Sequence, residues 1–392
     1  MRKGLAFILA ATMALTAACG SAPKESASGS GSGSADAKKP IKIGVTIPQT
    51  GGDVDAGRLM KNGVELAVET VNKAGGVNGR DIQLVIQDDQ STNPGSVAAL
   101  QKILEDKEVV AVVSTVRSTQ IAAQVPTINE MQVPVAIGGT NFGLTQGQSQ
   151  WIFRFRPHDG MSAKAMVKFV VEDLKKSKIA VLHSTDAFGN GGRDMVANSL
   201  KELNMTLTTD QGFNTGEKDF TGVISALKQS GADVIISYIA ASTDLGILAK
   251  QMKQQGLSLP WVGSPSITGQ DALRLAGDAL YGTYGVADFN KEANPKAKAF
   301  AEAFKAKYGQ DPDFYSSWPY DAITVLAEIM KKTPDLKPET LRNAILATKG
   351  LEGVEGTYNF DKNGDGLDSY HILQNDNNTF KLVKTIHANG GK

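Results

Sequence analysis

Ile41-Lys42-Ile43-Gly44-Val45-Thr46-Ile47, then RLMKNGVELAVETVNK at residues 58–73, then Ile82-Gln83-Leu84-Val85-Ile86 decide the fold of this chain. The outer two are short β-branched runs suited to buried strands, and the middle one reads as an amphipathic helix. Strand, helix and strand in so short a span form a βαβ unit, whose two strands lie parallel. The rhythm continues with a helix at 96–105, in which Leu100, Ile103 and Leu104 take the i, i+3, i+4 spacing of a buried stripe. A strand at 109–113, a helix ending near Met131 and a strand at 133–137 follow. After residue 158 the pattern restarts: Met166, Val170 and Leu174 share one helical face, 179–182 is a strand, Val223, Ile224 and Leu227 mark another helix, and 234–237 another strand. The expectation is an α/β protein with two doubly wound parallel-sheet lobes in series. No short-period repeat points to a solenoid.

Outward from that core, the N-terminus follows the plan of an export signal. Arg2 and Lys3 precede an apolar run at 5–15, and Thr16, Ala17 and Ala18 form a small-residue zone. The run is too short to span a bilayer. Cys19, the single cysteine, is followed by a Gly/Ser tract, and Ala18-Cys19-Gly20 resembles the lipobox of bacterial lipoproteins. That resemblance departs in one place: Leu15 stands four before the cysteine, and Thr16 occupies the usual aliphatic position. The expected organisation is a signal peptide at 1–18, then a lipidated Cys19 opening a flexible linker at 19–39, with a reach of roughly 25 Å. With no other cysteine, the body is held without disulfides. Equal numbers of basic and acidic residues, 41 and 41, argue against a nucleic-acid partner.

Ligands of doubly wound folds sit outside the carboxyl ends of the strands. After residue 113 comes Ser114-Thr115-Val116-Arg117-Ser118-Thr119, and after 137 comes Gly138-Gly139-Thr140-Asn141. Both present hydroxyls and backbone N–H groups where a helix or turn begins, which suits a carboxylate. Taken singly, Ser118 reads equally as a helix cap and the glycines as a turn; taken together they favour a binding site. Catalytic and metal patterns are absent. His158, His183, His371 and His387 are scattered, no Gly-x-Ser-x-Gly elbow occurs, and Gly189-Asn190-Gly191-Gly192 lacks dinucleotide-loop spacing. Asp361-Lys362-Asn363-Gly364-Asp365-Gly366 imitates the start of an EF-hand loop, but Ile372 stands at its twelfth position, so it reads as a β-turn. The chain is therefore expected to be non-enzymatic, without cofactor or metal.

An ordered set of motifs runs through residues 41–385: Ile43-Gly44-Val45 with Thr50-Gly51, Asn72 to Arg80, Asp88-Asp89 with Asn93-Pro94, Phe188-Gly189, Gly256-Leu257, Tyr320-Asp321-Ala322, and Phe360-Asp361 with Gly364-Asp365. Through these the chain resembles the solute-binding proteins of branched-chain amino-acid ABC transporters, the Leu/Ile/Val-binding type of the type I periplasmic binding protein fold. The resemblance implies two lobes that close on a ligand, joined by three crossovers near residues 157, 286 and 367. Lobe 1 is then 40–157 with 287–367, and lobe 2 is 158–286 with 368–392. It further implies that Ser118, with Thr119 as its near alternative, Gly138 and Thr140 hold the ligand carboxylate. Phe188, and groups near Tyr238, fold over the ligand from lobe 2.

Two departures bear on specificity. Where amino-acid binders of the family carry an acid for the ligand ammonium, this chain reads Gly263-Ser264-Pro265-Ser266, leaving Ser264 and Ser266 at that wall and Asp186 or Asp244 as candidate partners. Ala56 stands where a bulky aromatic often closes the pocket, and Trp318 and Tyr320 read equally as another wall or as core. The implied partners are a small ligand, an ABC permease and its ATPase, and a membrane reached by the lipid anchor, with the body monomeric and extracytoplasmic. The expected function is capture of a branched-chain-type amino acid for import. The alternatives are a receptor for an aromatic acid, amide or urea-like solute, or a sensory lipoprotein.

Overall fold

The computed structural model describes residues 38–377 and 379–387, so the signal-peptide reading at 1–18, the lipidation reading at Cys19 and most of the expected linker lie outside the described residues. The first sheet contains β1 (Ile41–Ile47), β2 (Ile82–Asp88), β3 (Val109–Val113), β4 (Val135–Ile137) and β5 (Ile152–Arg154). All five are parallel, in the order β2-β1-β3-β4-β5. They are connected through α1 (Val54–Lys73), α2 (Asn93–Leu104) and α3 (Ser118–Met131). β1 is buried along almost its whole length because helices cover both faces. A Cβ on Gly44 would come 2.3 Å from the Ile103 side chain, so only glycine lets α2 lie this close to the strand.

Two helices start earlier than their apolar pattern suggests. α2 opens with Thr92 accepting the Gly95 N–H at 3.0 Å and Pro94 in the first turn, where a missing N–H costs no hydrogen bond. α1 begins at Val54, which corrects the placement of Ala56: it lies in the first helical turn, buried in the core, and not in a loop.

The second sheet is entered through α4 (Asp159–Lys168), which runs on as a π-turn over Phe169–Asp173. Then come β6 (Ile179–Ser184), α5 (Ala187–Glu202), β7 (Thr209–Phe213), α6 (Thr221–Gln229), β8 (Val234–Tyr238), α7 (Ser242–Gln254), β9 (Trp261–Gly263), α8 (Gln270–Ala276) and β10 (Tyr284–Ala287). α9 (Pro295–Tyr308), α10 (Phe314–Lys332) and α11 (Pro338–Ala347) share the core of the first sheet, where Phe300, Trp318 and Leu341 join Ile43 and Val45. A small hairpin, β11 (Leu351–Glu352) and β12 (Thr357–Tyr358), precedes β13 (Ser369–Asp376) and β14 (Thr379–His387), which rejoin the second sheet.

That sheet runs β14-β13-β10-β9-β8-β6-β7, and its β13–β14 edge is antiparallel. The fold is therefore α/β with two doubly wound, mainly parallel sheets, and an antiparallel hairpin is added to the second. A tight turn joining consecutive strands permits only the antiparallel arrangement.

The chain passes between the sheets three times: after β5, after β10 and before β13. Polar contacts knit these passages together. Arg154 Nε donates to Asp365 at 2.7 Å, buried Arg156 pairs with Asp288, Tyr370 donates to the Pro157 carbonyl at 2.8 Å, and Tyr358 donates to the Phe155 carbonyl at 3.0 Å. Each pair links segments far apart in sequence.

Candidate binding cleft

The loops after β3, β4, β6, β8 and β9 converge on a small cavity of about 40 Å³. It lies at the carboxyl ends of strands from both sheets, where such folds bind ligands.

On the first-sheet side, Val116, Arg117, Ser118, Thr119 and Thr140 line the cavity. Ser118 is the first residue of α3 and does not cap it; its hydroxyl accepts the Asn141 N–H at 3.2 Å, tying the loop after β3 to the loop after β4. The first-turn amides of α3 have no intrahelical acceptor and carry the positive end of the helix dipole. Thr140 is held from behind, because Arg154 donates to the carbonyls of Gly139 at 2.9 Å and Asn141 at 2.8 Å. Its own carbonyl accepts the Asp159 N–H at 2.8 Å.

On the second-sheet side, Asp186, Phe188, Ala240, Pro265 and Ser266 form the wall. Asp186 caps α5 by accepting the Gly189 N–H at 2.8 Å, and its other oxygen accepts the Ser184 and Thr215 hydroxyls at 3.1 and 3.0 Å. Three bonds leave one of a carboxylate's roughly four acceptor directions free. Phe188 meets Tyr238 edge-on at 5.4 Å. Ser266 donates to the Ile239 carbonyl at 2.5 Å. The two sides touch: the Ala187 N–H donates to Thr119 Oγ1 at 3.2 Å, and Asn141 Nδ2 donates to the Ala187 carbonyl at 2.6 Å.

Four residues singled out from the sequence stand behind these walls. Gly138 presents its carbonyl to Arg156 at 2.9 Å, and a Cβ there would come 2.5 Å from the Trp318 ring, so its role is to admit that tryptophan. Tyr238 is fully buried beneath Phe188, its hydroxyl 2.6 Å from Ser162 Oγ. Ser264 shares a hydrogen bond with Ser266 at 3.0 Å. Asp244 is buried away from the cavity, accepting the Gly216 N–H at 2.9 Å, and burial raises its pKa. Trp318 and Tyr320 belong to the core, the latter packed on Phe300 at 4.6 Å.

Sequence reasoning missed Arg117, Arg156, Phe314 and Tyr315, all of which line the cavity. Arg117 donates from Nε to Asp53 at 2.8 Å, pairs a second time with the same carboxylate, and reaches across to the Ala240 carbonyl. Burial opposes its charge, but Asp53 outweighs burial and raises the pKa, so the cation is fixed. The Arg156 guanidinium lies 4.4 Å over the Phe314 ring. Arg117 stood inside a loop singled out from the sequence, but its partner Asp53 is 64 positions away. Phe314 and Tyr315 open a helix whose pattern is otherwise that of core.

Asp159, at the start of α4, is fully buried. Burial pushes its pKa up to about 7, against the opposing influence of Thr140, Arg154 and Arg156.

A family profile described as periplasmic binding protein matches residues 40–378. A leucine-, isoleucine-, valine-, threonine- and alanine-binding protein of Pseudomonas aeruginosa is 33% identical over 328 residues, covering 83% of this chain and 87% of the relative. Two crystal structures share 25% identity and cover 89% of this chain and 99% of their own. They are a leucine binding protein from Thermotoga maritima, at a TM-score of 0.83, and a branched-chain amino acid transporter substrate binding protein from Streptococcus pneumoniae in complex with isoleucine, at 0.81.

Proposed function

This chain belongs to the periplasmic binding protein family, and from that membership we propose that it is a non-catalytic extracytoplasmic receptor of an ABC importer, capturing a branched-chain-type amino acid between two closing lobes. The observation that carries the reading is that one cavity joins two complementary walls. Ser118, Thr119, Thr140 and the first-turn amides of α3 suit a carboxylate, while Asp186 keeps an acceptor direction free for an ammonium. Phe188, Val116 and Pro265 furnish apolar surface for a short aliphatic side chain. Asp53 and Asp288 neutralise Arg117 and Arg156, so the two arginines leave no unpaired positive charge that would call for an anion in place of a zwitterion.

Ligand that touches both walls makes contacts unavailable to the open form, so binding shifts the population toward closure. Micromolar affinity corresponds to about 8 kcal/mol, within reach of a few charge-assisted hydrogen bonds and a buried aliphatic group. Lobe 1 in this reading is 40–157 with 287–367, and lobe 2 is 158–286 with 368–392. The finer placement is a monomer tethered through lipidated Cys19 and the 19–39 linker, handing its ligand to a permease driven by an ATPase. No helix among the described residues is long and apolar enough to cross a membrane.

A second reading, an aromatic acid or amide as ligand, is favoured by hydroxyls in place of a carboxylate at Ser264 and Ser266. Thermal unfolding of the soluble form beginning at Lys39 separates the two. Leucine, isoleucine or valine at 100 times its dissociation constant stabilises by about 2.7 kcal/mol if the amino-acid reading holds. A shift seen only with acids or amides lacking an ammonium replaces it with the second reading. Mass spectrometry of the mature, membrane-extracted protein tests the anchor, since Cys19→Ser must abolish the acyl mass.

A further inference from the structure

The geometry points to Phe314 as the partition between the ligand cleft and a second, partly apolar groove, and hence as the residue that sets the upper size limit of the ligand; this deepens the amino-acid reading and rests on it. Phe314 lines both spaces: the cleft of about 40 Å³, and a groove of about 190 Å³ in which Phe289, Leu373 and Phe380 form an apolar side opposite polar residues such as Lys291 and Asp311. The groove borders the passage after β10 and the β13–β14 hairpin, so it lies beside the hinge and outside the polar walls described above.

The Phe314 ring is 4% exposed and held between two neighbours, the Arg156 guanidinium 4.4 Å from its centroid and the Tyr315 ring at 4.0 Å. The backbone that carries it is fixed independently of the ring. Asp313 accepts the Tyr315 N–H at 2.9 Å and the Gln270 N–H of α8 at 2.9 Å, and Ser316 Oγ accepts the Asp313 N–H at 3.2 Å, completing a capping box. Shortening the side chain therefore removes the partition while the cap that positions it remains. An aromatic side chain directed toward Phe314 meets the ring, whereas with the ring gone it reaches the groove side formed by Phe289, Leu373 and Phe380.

The test uses Phe314→Ala and Phe314→Leu in the full chain, purified in detergent, with isoleucine and phenylalanine as probes in isothermal titration calorimetry. The wild type is expected to prefer isoleucine. In Phe314→Ala the ratio of phenylalanine to isoleucine affinity rises at least about tenfold, and in Phe314→Leu by less, the scale that one or two buried carbon groups command in a pocket. A ratio unchanged in both variants, with melting curves near that of the wild type, overturns the partition. Should Phe314→Ala fail to fold, Phe314→Leu decides, because leucine keeps the cap and most of the packing. If the wild type binds neither amino acid, the amino-acid reading has failed separately. The ratio is then taken between benzoate and a 4-phenyl-substituted benzoate, and an unchanged ratio there likewise overturns the partition.

Discussion

On the first-sheet side of the cleft, Ser118 and Thr140 sit on loops fastened to each other and to Arg154, a residue of β5 that is itself fully buried. On the second-sheet side, Asp186 caps a single helix, α5, and Phe188 in its opening turn rests on Tyr238. One wall is thus a polar receptor whose donors are aligned by backbone and a buried arginine; the other is a lid of one acid and one ring. In the proposed reading, the first wall orients the ligand, and the second discriminates its far end and its ammonium.

The comparison breaks most severely at the hinge behind the first wall. Asp288→Asn leaves Arg156 buried with its charge unpaired and is expected to cost about 3–5 kcal/mol in chemical denaturation. A loss below about 1 kcal/mol means that the pair does not hold the crossing segments together. Next in size, Ser118→Ala combined with Thr140→Ala weakens every bound ligand at least about tenfold while the melting temperature holds, since two hydrogen bonds to a charged group are lost. Unchanged affinity refutes the assignment of the first wall.

Asp186→Asn sharpens the division of labour. Asparagine keeps the cap of α5, so stability is retained, but the amino acid binds about tenfold more weakly while 4-methylpentanoate, which lacks the ammonium, is unaffected. Equal losses for both ligands would show that Asp186 acts on the wall as a whole.

The smallest effect is on pH. Asp159 has a folded pKa raised to about 7 from an ordinary value of 3.8, so between these values the folded chain holds a proton that the unfolded chain has released. Its contribution is fully present below pH 3.8 and is lost as pH rises through 7. Asp159→Asn should therefore gain at least about 1 kcal/mol relative to wild type between pH 5 and pH 8, as read from denaturation midpoints at the two values. A relative stability independent of pH means that the buried carboxyl titrates normally.

The βαβ rhythm was legible because buried parallel strands are continuous β-branched runs, and 41–47 and 109–113 match β1 and β3 residue for residue. Helix starts were less legible at α1 and α2, where Pro, Gly and Asp read as breakers yet occupy first turns that tolerate them. The β13–β14 hairpin was illegible because β14, at the sheet edge, is largely exposed and carries alternating lysines and apolar residues without a clear stripe. In the cleft, Ser118, Thr119, Thr140, Asp186, Phe188 and Ser266 line the cavity and were named from loops that follow strands. Phe314 follows no strand, and Arg117 and Arg156 carry long charged side chains whose pattern does not distinguish a solvated arginine from a paired, buried one.

The sequence by itself determined the alternation of strands and helices, the two-sheet α/β class and the family, because hydrophobic periodicity and ordered local motifs are properties of neighbours along the chain. Only the tertiary structure decided which arginine meets which aspartate, that Gly138 makes room for Trp318, and that Phe314 stands between the cleft and a groove. These depend on distances between segments separated by scores of residues, and packing at that range is settled by how the three crossing passages bring two sheets together rather than by any local pattern.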